Sequence, residues 1–150
     1  MKNEKNLSPE VIAELRLKHL EMLQGAIARM ATYSASLKNY CITTVTAISG
    51  FAISLQSPVI AMIAILPTLI FALLDGQYLR NERRFRKLFD RVRREDWQTA
   101  TGFDMDPKIM PGLSFFSTLF SWSILSFYLP VGICVAGLII FAEVSYGRAL

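Results

Sequence analysis

Three groups of residues have the types and spacing to do chemistry. The most charged is Arg80, Arg83, Arg84, Phe85, Arg86, Lys87, Phe89 and Arg91. Guanidinium forks match phosphate oxygens and aromatic faces stack bases, so this pattern suits a nucleotide or single-stranded nucleic acid. The plainer use is a juxtamembrane helix that touches anionic lipid, each charge contributing about 1 kcal/mol near the surface. Glu82, Asp90, Glu95 and Asp96 dilute the patch. The second group is Thr43, Ala47, Gly50 and Ser54, with Tyr40 and Lys38 just before it. Its steps of four, three and four put it on one face of a helix. Hydroxyls can wet a pore without charge. Small residues serve helix packing equally well, and packing is the plainer use. The third group, Ser114, Ser117, Thr118 and Ser121, reads as packing.

Enzymatic chemistry has no signature here. There is no phosphate-binding glycine loop, no G-x-S-x-G, and His19 is the only histidine. Asp104 and Asp106 form a small acidic loop that reads as caps or salt bridges rather than a metal site. Cys41 and Cys134 read as small apolar fillers. No enzyme activity, cofactor or metal is expected.

The elements that position these groups follow from the charge pattern. Of the 150 residues 53% are apolar and 19% charged, which excludes disorder and a disulfide framework. Residues 39–74 and 109–142 contain no charged side chain, and a basic stretch lies between them. A bilayer core of about 30 Å needs about 20 mostly apolar helical residues. The first block is too long for one span and is broken at Gln56-Ser57-Pro58, where Ser57 can cap and Pro58 can begin a helix. Two antiparallel spans, 38–55 and 58–77, are expected, with a kink at Pro67. The second block reads either as one long tilted helix or as an interfacial helix (113–125) followed by a span (127–145). Pro130, Trp122 and Tyr128 favour the latter.

The expected fold is therefore all-α and integral to a membrane, as one domain over 1–150. A long N-terminal cytoplasmic helix (8–37) runs into three spans, and a basic cytoplasmic helix (78–97) lies between spans two and three. The hydrophilic start MKNEKNLSPE is not a cleavable signal peptide, so the first span is expected to act as its own insertion signal. Residues 1–38 carry six Lys or Arg and 76–108 carry nine, against none in the 56–58 turn and Arg148 alone at the C-terminus. The positive-inside rule then puts the N-terminus and central loop in the cytoplasm and the C-terminus outside.

Ser8-Pro9-Glu10 marks a helix start. Leu20, Leu23, Ile27 and Met30 form one apolar stripe, and Leu15, His19, Met22 and Ala26 a second. Two stripes want more than one neighbour, either in a bundle between subunits or on the chain's own 78–97 helix. In that helix Tyr78, Phe85, Phe89 and Val92 share a face. Glu14–Lys18, Glu82–Arg86 and Asp90–Arg94 are favourable four-residue pairs.

HLEMLQGAIARMA (19–31), FALLDGQYLRNERRFRKLFDRVR (71–93) and FDMD (103–106), in that order around three spans, resemble a family of small three-span bacterial membrane proteins of anti-phage defence. The resemblance is to effectors that accompany a nucleotidyltransferase, as in Hailong-type systems, and it covers residues 10–106. Tyr40-Cys41 stands where the family tends to have a bulkier residue. The resemblance implies an oligomeric channel whose opening depolarises the cell. Its gate would be controlled on the cytoplasmic side by a nucleotidyltransferase product such as a short DNA oligomer.

The expectation is a homo-oligomeric channel or membrane-disrupting effector of the bacterial inner membrane, with a tetramer favoured. Tyr40, Thr43, Ala47, Gly50 and Ser54 would line the pore, and Arg29, Lys38, Arg80, Arg83 and Arg84 would meet the anionic signal. Its partners would be the lipid bilayer, further copies of the chain, the oligonucleotide and a neighbouring nucleotidyltransferase. The alternative is a non-conducting membrane scaffold that recruits a cytoplasmic protein. A transporter subunit ranks last, because no acidic or basic residue lies inside the spans, Asp75 and Glu143 sitting at their edges.

Overall fold

The computed structural model describes residues 8–96, 102–110 and 114–146. Trp97, where the basic helix was expected to end, lies outside them, as do the N-terminal charges Lys2 and Lys5, residues 98–101 and 111 of the returning loop, and Arg148. The described residues are helical, with no strand among them. The elements are α1 (Pro9–Ser54), α2 (Pro58–Ile63), α3 (Ile65–Arg94), a single 3-10 turn (Pro107–Ile109), α4 (Phe115–Leu119) and α5 (Trp122–Tyr146).

The first helix is one rod of 46 residues, about 69 Å at 1.5 Å per residue. It starts where the sequence signals it: Pro9 is the first helical residue and the Ser8 hydroxyl accepts from the Val11 N–H at 3.4 Å. No proline follows before its end, so nothing interrupts the ladder between the expected 8–37 and 38–55 segments.

The rod ends in a left-handed turn. Gln56 has φ 50°, its N–H donates to the Ile53 carbonyl (3.2 Å), and the Ser57 N–H reaches back to Ala52 (3.0 Å). These two bonds satisfy carbonyls of the last turn in the pattern usually closed by glycine. Pro58 starts α2 as expected, but the Ser57 side chain makes no capping bond; the Ser57 carbonyl accepts from Ala61 instead. Pro67 acts one turn upstream of itself. Its ring clashes with the carbonyl four residues back, at Ile63, and the helix breaks at Ala64.

From Ile65 to Arg94 the chain is again one helix, so the apolar residues 65–77 and the basic segment after them share an axis. It runs antiparallel to α1, and the pair is the frame of the molecule. Toward its polar end Leu23 and Ala26 of α1 pack with Phe85, Leu88, Val92 and Met110. Of the two uses weighed for the α1 stripes, packing on the chain's own basic helix is the one present. The buried face combines parts of both stripes (Ile12, Arg16, His19, Leu23, Ala26) and leaves Met22 exposed. Toward the apolar end Cys41 and Val45 of α1 pack with Ala64 and with Ile124, Tyr128 and Val135 of α5.

Two stretches are long and apolar enough to cross a membrane, Pro58–Arg94 and Trp122–Tyr146. The break within 113–145 falls at Phe120-Ser121 rather than near Pro130, which α5 accommodates. Four-residue pairing is seen for Glu82 and Arg86 (2.7 Å). Asp90 meets Arg93 (3.5 Å) rather than Arg94, and Lys18 meets Glu21 (3.9 Å) rather than Glu14.

An L residue in the left-handed region costs about 1–2 kcal/mol that glycine does not. Gln56→Gly is therefore expected to stabilise the fold by about 1 kcal/mol, measured as a higher midpoint of denaturant-induced unfolding in detergent micelles.

Candidate functional site

Between their polar and apolar halves the two long helices meet at a charged point. Lys38 on α1 and Asp75 on α3 each stand eighteen residues from the Gln56-Ser57 turn, so the antiparallel register sets them opposite each other. The Asp75 carboxylate has no exposed surface. Lys38 Nζ donates to its Oδ2 at 2.6 Å and to Ser34 Oγ at 2.9 Å, while Ser34 Oγ donates to Asp75 Oδ1 at 2.5 Å. The aromatic pair of α5 closes the site. Lys38 Nζ lies 5.9 Å from the centre of the Phe127 ring, and the Tyr128 hydroxyl donates to the Phe71 carbonyl at 3.2 Å. Three helices thus converge on one ion pair in an apolar wall. A carboxylate there without its cation would carry the full desolvation penalty, and breaking such a pair costs about 3–5 kcal/mol.

The residue after Asp75 seats α4. A Cβ on Gly76 would stand 2.6 Å from Leu119 Cδ2 and 3.4 Å from its Cγ. Thr118 beside it is buried and donates to the Ser114 carbonyl at 3.1 Å, while Ser114 and Ser117 of the same group are exposed.

The other expected residues divide into two sets. Tyr40, Thr43, Ala47, Gly50 and Ser54 are all exposed on one face of α1. Thr43 turns its hydroxyl back to the Asn39 carbonyl (2.9 Å), and apart from the chain neighbours and the backbone of its own helix nothing described lies within 4 Å of where a Gly50 Cβ would stand. Small residues that packed the chain's own helices would be covered, and these are not.

Arg29 is exposed on α1, while Arg80, Arg83 and Arg84 are half-buried on α3. The register that joins Tyr33 to Tyr78 and Lys38 to Asp75 puts Arg29 about level with Arg83 and Arg84. Arg84 Nε is buried with no hydrogen-bond partner among the described residues. Lys38 stands apart from the other basic candidates, since its ammonium is taken by Asp75 and Ser34. Three of the four acids named with the basic helix pair with arginines: Glu82 with Arg86, Asp90 with Arg93, and Glu95 with Arg91 (4.0 Å) and with Arg16 of α1 (3.6 Å). An open groove of about 460 Å³ runs between the polar halves of α1 and α3, with Ile27 and Ala31 on one side and Phe89 and Arg86 on the other.

Two further residues, Arg16 and His19, are buried at the polar end of the hairpin. Arg16 is buried and donates to the Val92 carbonyl (3.5 Å), which also accepts the Glu95 N–H (3.3 Å) at the end of α3. His19 is buried too, with Nε2 2.9 Å from the Asp104 carbonyl and its ring beside Phe103. Arg16 thus ties α1 to the end of α3, and His19 ties the 102–110 loop to α1. Within that loop Asp104 accepts from the Asp106 N–H and Asp106 from the Lys108 N–H, both at 2.9 Å, which is the capping role expected of FDMD. Among the described residues no group of three or more His, Cys, Asp or Glu is placed to hold a metal.

No family model matches this chain, and no curated protein or solved structure matches it.

Overpacking a close helix contact costs about 1–3 kcal/mol. Gly76→Val is expected to loosen α4 and raise amide exchange in 115–119 by about tenfold, measured by hydrogen–deuterium exchange; Gly50→Val should leave that protection unchanged.

Proposed function

We propose that this chain is a three-span protein of the bacterial inner membrane that assembles as a homo-oligomer, a tetramer by preference, into a channel controlled from the cytoplasm. Segment 38–55 of α1 would be the third span beside the two apolar stretches, and its lower hydropathy is what a pore-facing helix needs. The observation that carries the proposal is the exposed stripe Tyr40, Thr43, Ala47, Gly50 and Ser54. In hydrocarbon, hydroxyls and small residues gain little from facing lipid tails; they gain from facing another helix or water. Around an oligomer axis that face would meet its own copies and enclose an uncharged, hydroxyl-bearing path.

The signal would be a nucleotide or a short single-stranded DNA, in the setting of anti-phage defence that the resemblance suggests, made by a neighbouring nucleotidyltransferase. Support for an anionic ligand comes from Arg29, Arg80, Arg83 and Arg84 on the polar half of the hairpin and from the unsatisfied Nε–H of Arg84. A ligand that binds two arrangements of that half unequally shifts the gate by the ratio of its affinities.

The test is ion flux from proteoliposomes. The full-length protein should conduct, and a hexamer of mixed-sequence single-stranded DNA should change the flux by about tenfold, in one direction or the other. Gly50→Leu should abolish flux while leaving helical content unchanged, because the chain itself leaves that position open. Replacing Arg83 and Arg84 together by Glu should weaken the response and flatten its salt dependence. A protein that conducts under no nucleotide would overturn the channel and favour the scaffold.

A further inference from the structure

We propose that the Lys38–Asp75 pair, with Ser34 as its third member, is the latch that holds the channel in its less conductive arrangement. The inference rests on the channel reading above and adds its regulation.

Four observations carry it. First, a buried ion pair is a poor device for stability alone, since an apolar pair of similar size holds helices together as well or better. What it supplies is a strongly preferred register. Second, this pair sits where the two long helices pass from their apolar to their polar halves. Below it lie the Cys41, Val45 and Tyr128 contacts, above it the Leu23, Phe85 and Leu88 contacts. Third, α1 is continuous from Pro9 to Ser54, so a displacement of its polar end moves the exposed stripe with it. Fourth, the middle of the polar half is apolar, and its other charge contact, Arg16 with Val92 and Glu95, lies at the far end of α3. Leu23, Ala26, Phe85 and Leu88 lose little from a small shift, and the open groove by Ile27 and Phe89 leaves room for one. A 2.6 Å charge contact in an apolar wall cannot stretch without exposing an unpaired charge to hydrocarbon.

Any signal that shears α1 against α3 must therefore part Lys38 from Asp75, and α5 records the event. Phe127 lies against the ammonium, and Tyr128 is bonded to the α3 backbone one turn before Asp75. Two discrete arrangements, paired and parted, replace a continuous deformation.

The experiment compares full-length wild type with Asp75→Asn, Lys38→Met, the double variant and Lys38→Arg in proteoliposomes, with and without the DNA hexamer. Under the condition in which wild type conducts least, each neutralising single variant should conduct about tenfold more or higher. The double variant buries no charge but has no pair to fix the register, so it should stay within about threefold of the singles, and a return to the wild-type level would overturn the latch. Singles that stay as quiet as wild type, while wild type still responds to the oligonucleotide, would overturn the latch and leave the channel standing. Conductance in no variant and under no ligand would remove the channel and the latch with it. If the neutral singles do not assemble in detergent, Lys38→Arg decides, because it keeps the charge and changes only the geometry. Raised flux in its quiet condition supports the latch, and unchanged flux makes the pair a folding element.

Discussion

A carboxylate with no exposed surface has to be answered by a cation, and the arrangement of this protein follows from how Asp75 is answered. Its partner is on the other long helix, so α1 and α3 are held in one register. Its covering is on α5, so the third long helix is held against the first two. Gly76 follows directly and lets α4 approach α3 closely. The antiparallel pair would still bury apolar surface without this contact, but apolar surface alone does not choose between neighbouring registers. The charge contact does, because a shift of one helical turn would leave both ions in an apolar wall.

The two ends of the frame are finished by different means. At the apolar end the 55–57 turn closes through backbone bonds, with Gln56 held in a left-handed conformation. At the polar end side chains do the closing. Arg16 shares the Val92 carbonyl of α3 with the Glu95 N–H, and His19 holds the returning loop. Between those ends the surface splits by chemistry. One face of α1 is small and hydroxyl-bearing, the flank of α3 carries the arginines, and the two are linked through one rigid rod. That continuity is what allows a proposed signal on the polar half to act on a proposed path along the apolar half.

Much of this was legible in the chain. Two uncharged blocks around a basic one imply apolar helices joined by a charged one. The breaks near Pro58 and Pro67 and the start at Ser8-Pro9 all lie where proline chemistry puts them. The pairing of Lys38 with Asp75 had a signal as well, since both flank the first uncharged block at equal distance from its turn. A reading that treats each charge as the edge of a span passes over it. Less legible were the choices among equivalent neighbours. Asp90 had Arg93 and Arg94 within reach, and Lys18 had Glu14 and Glu21; in such pairs side-chain rotamers decide. The break at Phe120-Ser121 has no proline or glycine to announce it.

The sequence by itself determined that the chain is helical, where its apolar stretches begin and end, and on which helical face the small residues and the arginines fall. These are consequences of local geometry, the period of 3.6 residues and the conformational limits of proline. Only the tertiary structure decided which of those faces are covered. It buried Arg16, His19 and Asp75, residues that composition would leave in water, and left Thr43, Ala47 and Gly50 open. Burial depends on what lies across the interface, and a buried polar group is tolerable only when its partner arrives from another helix.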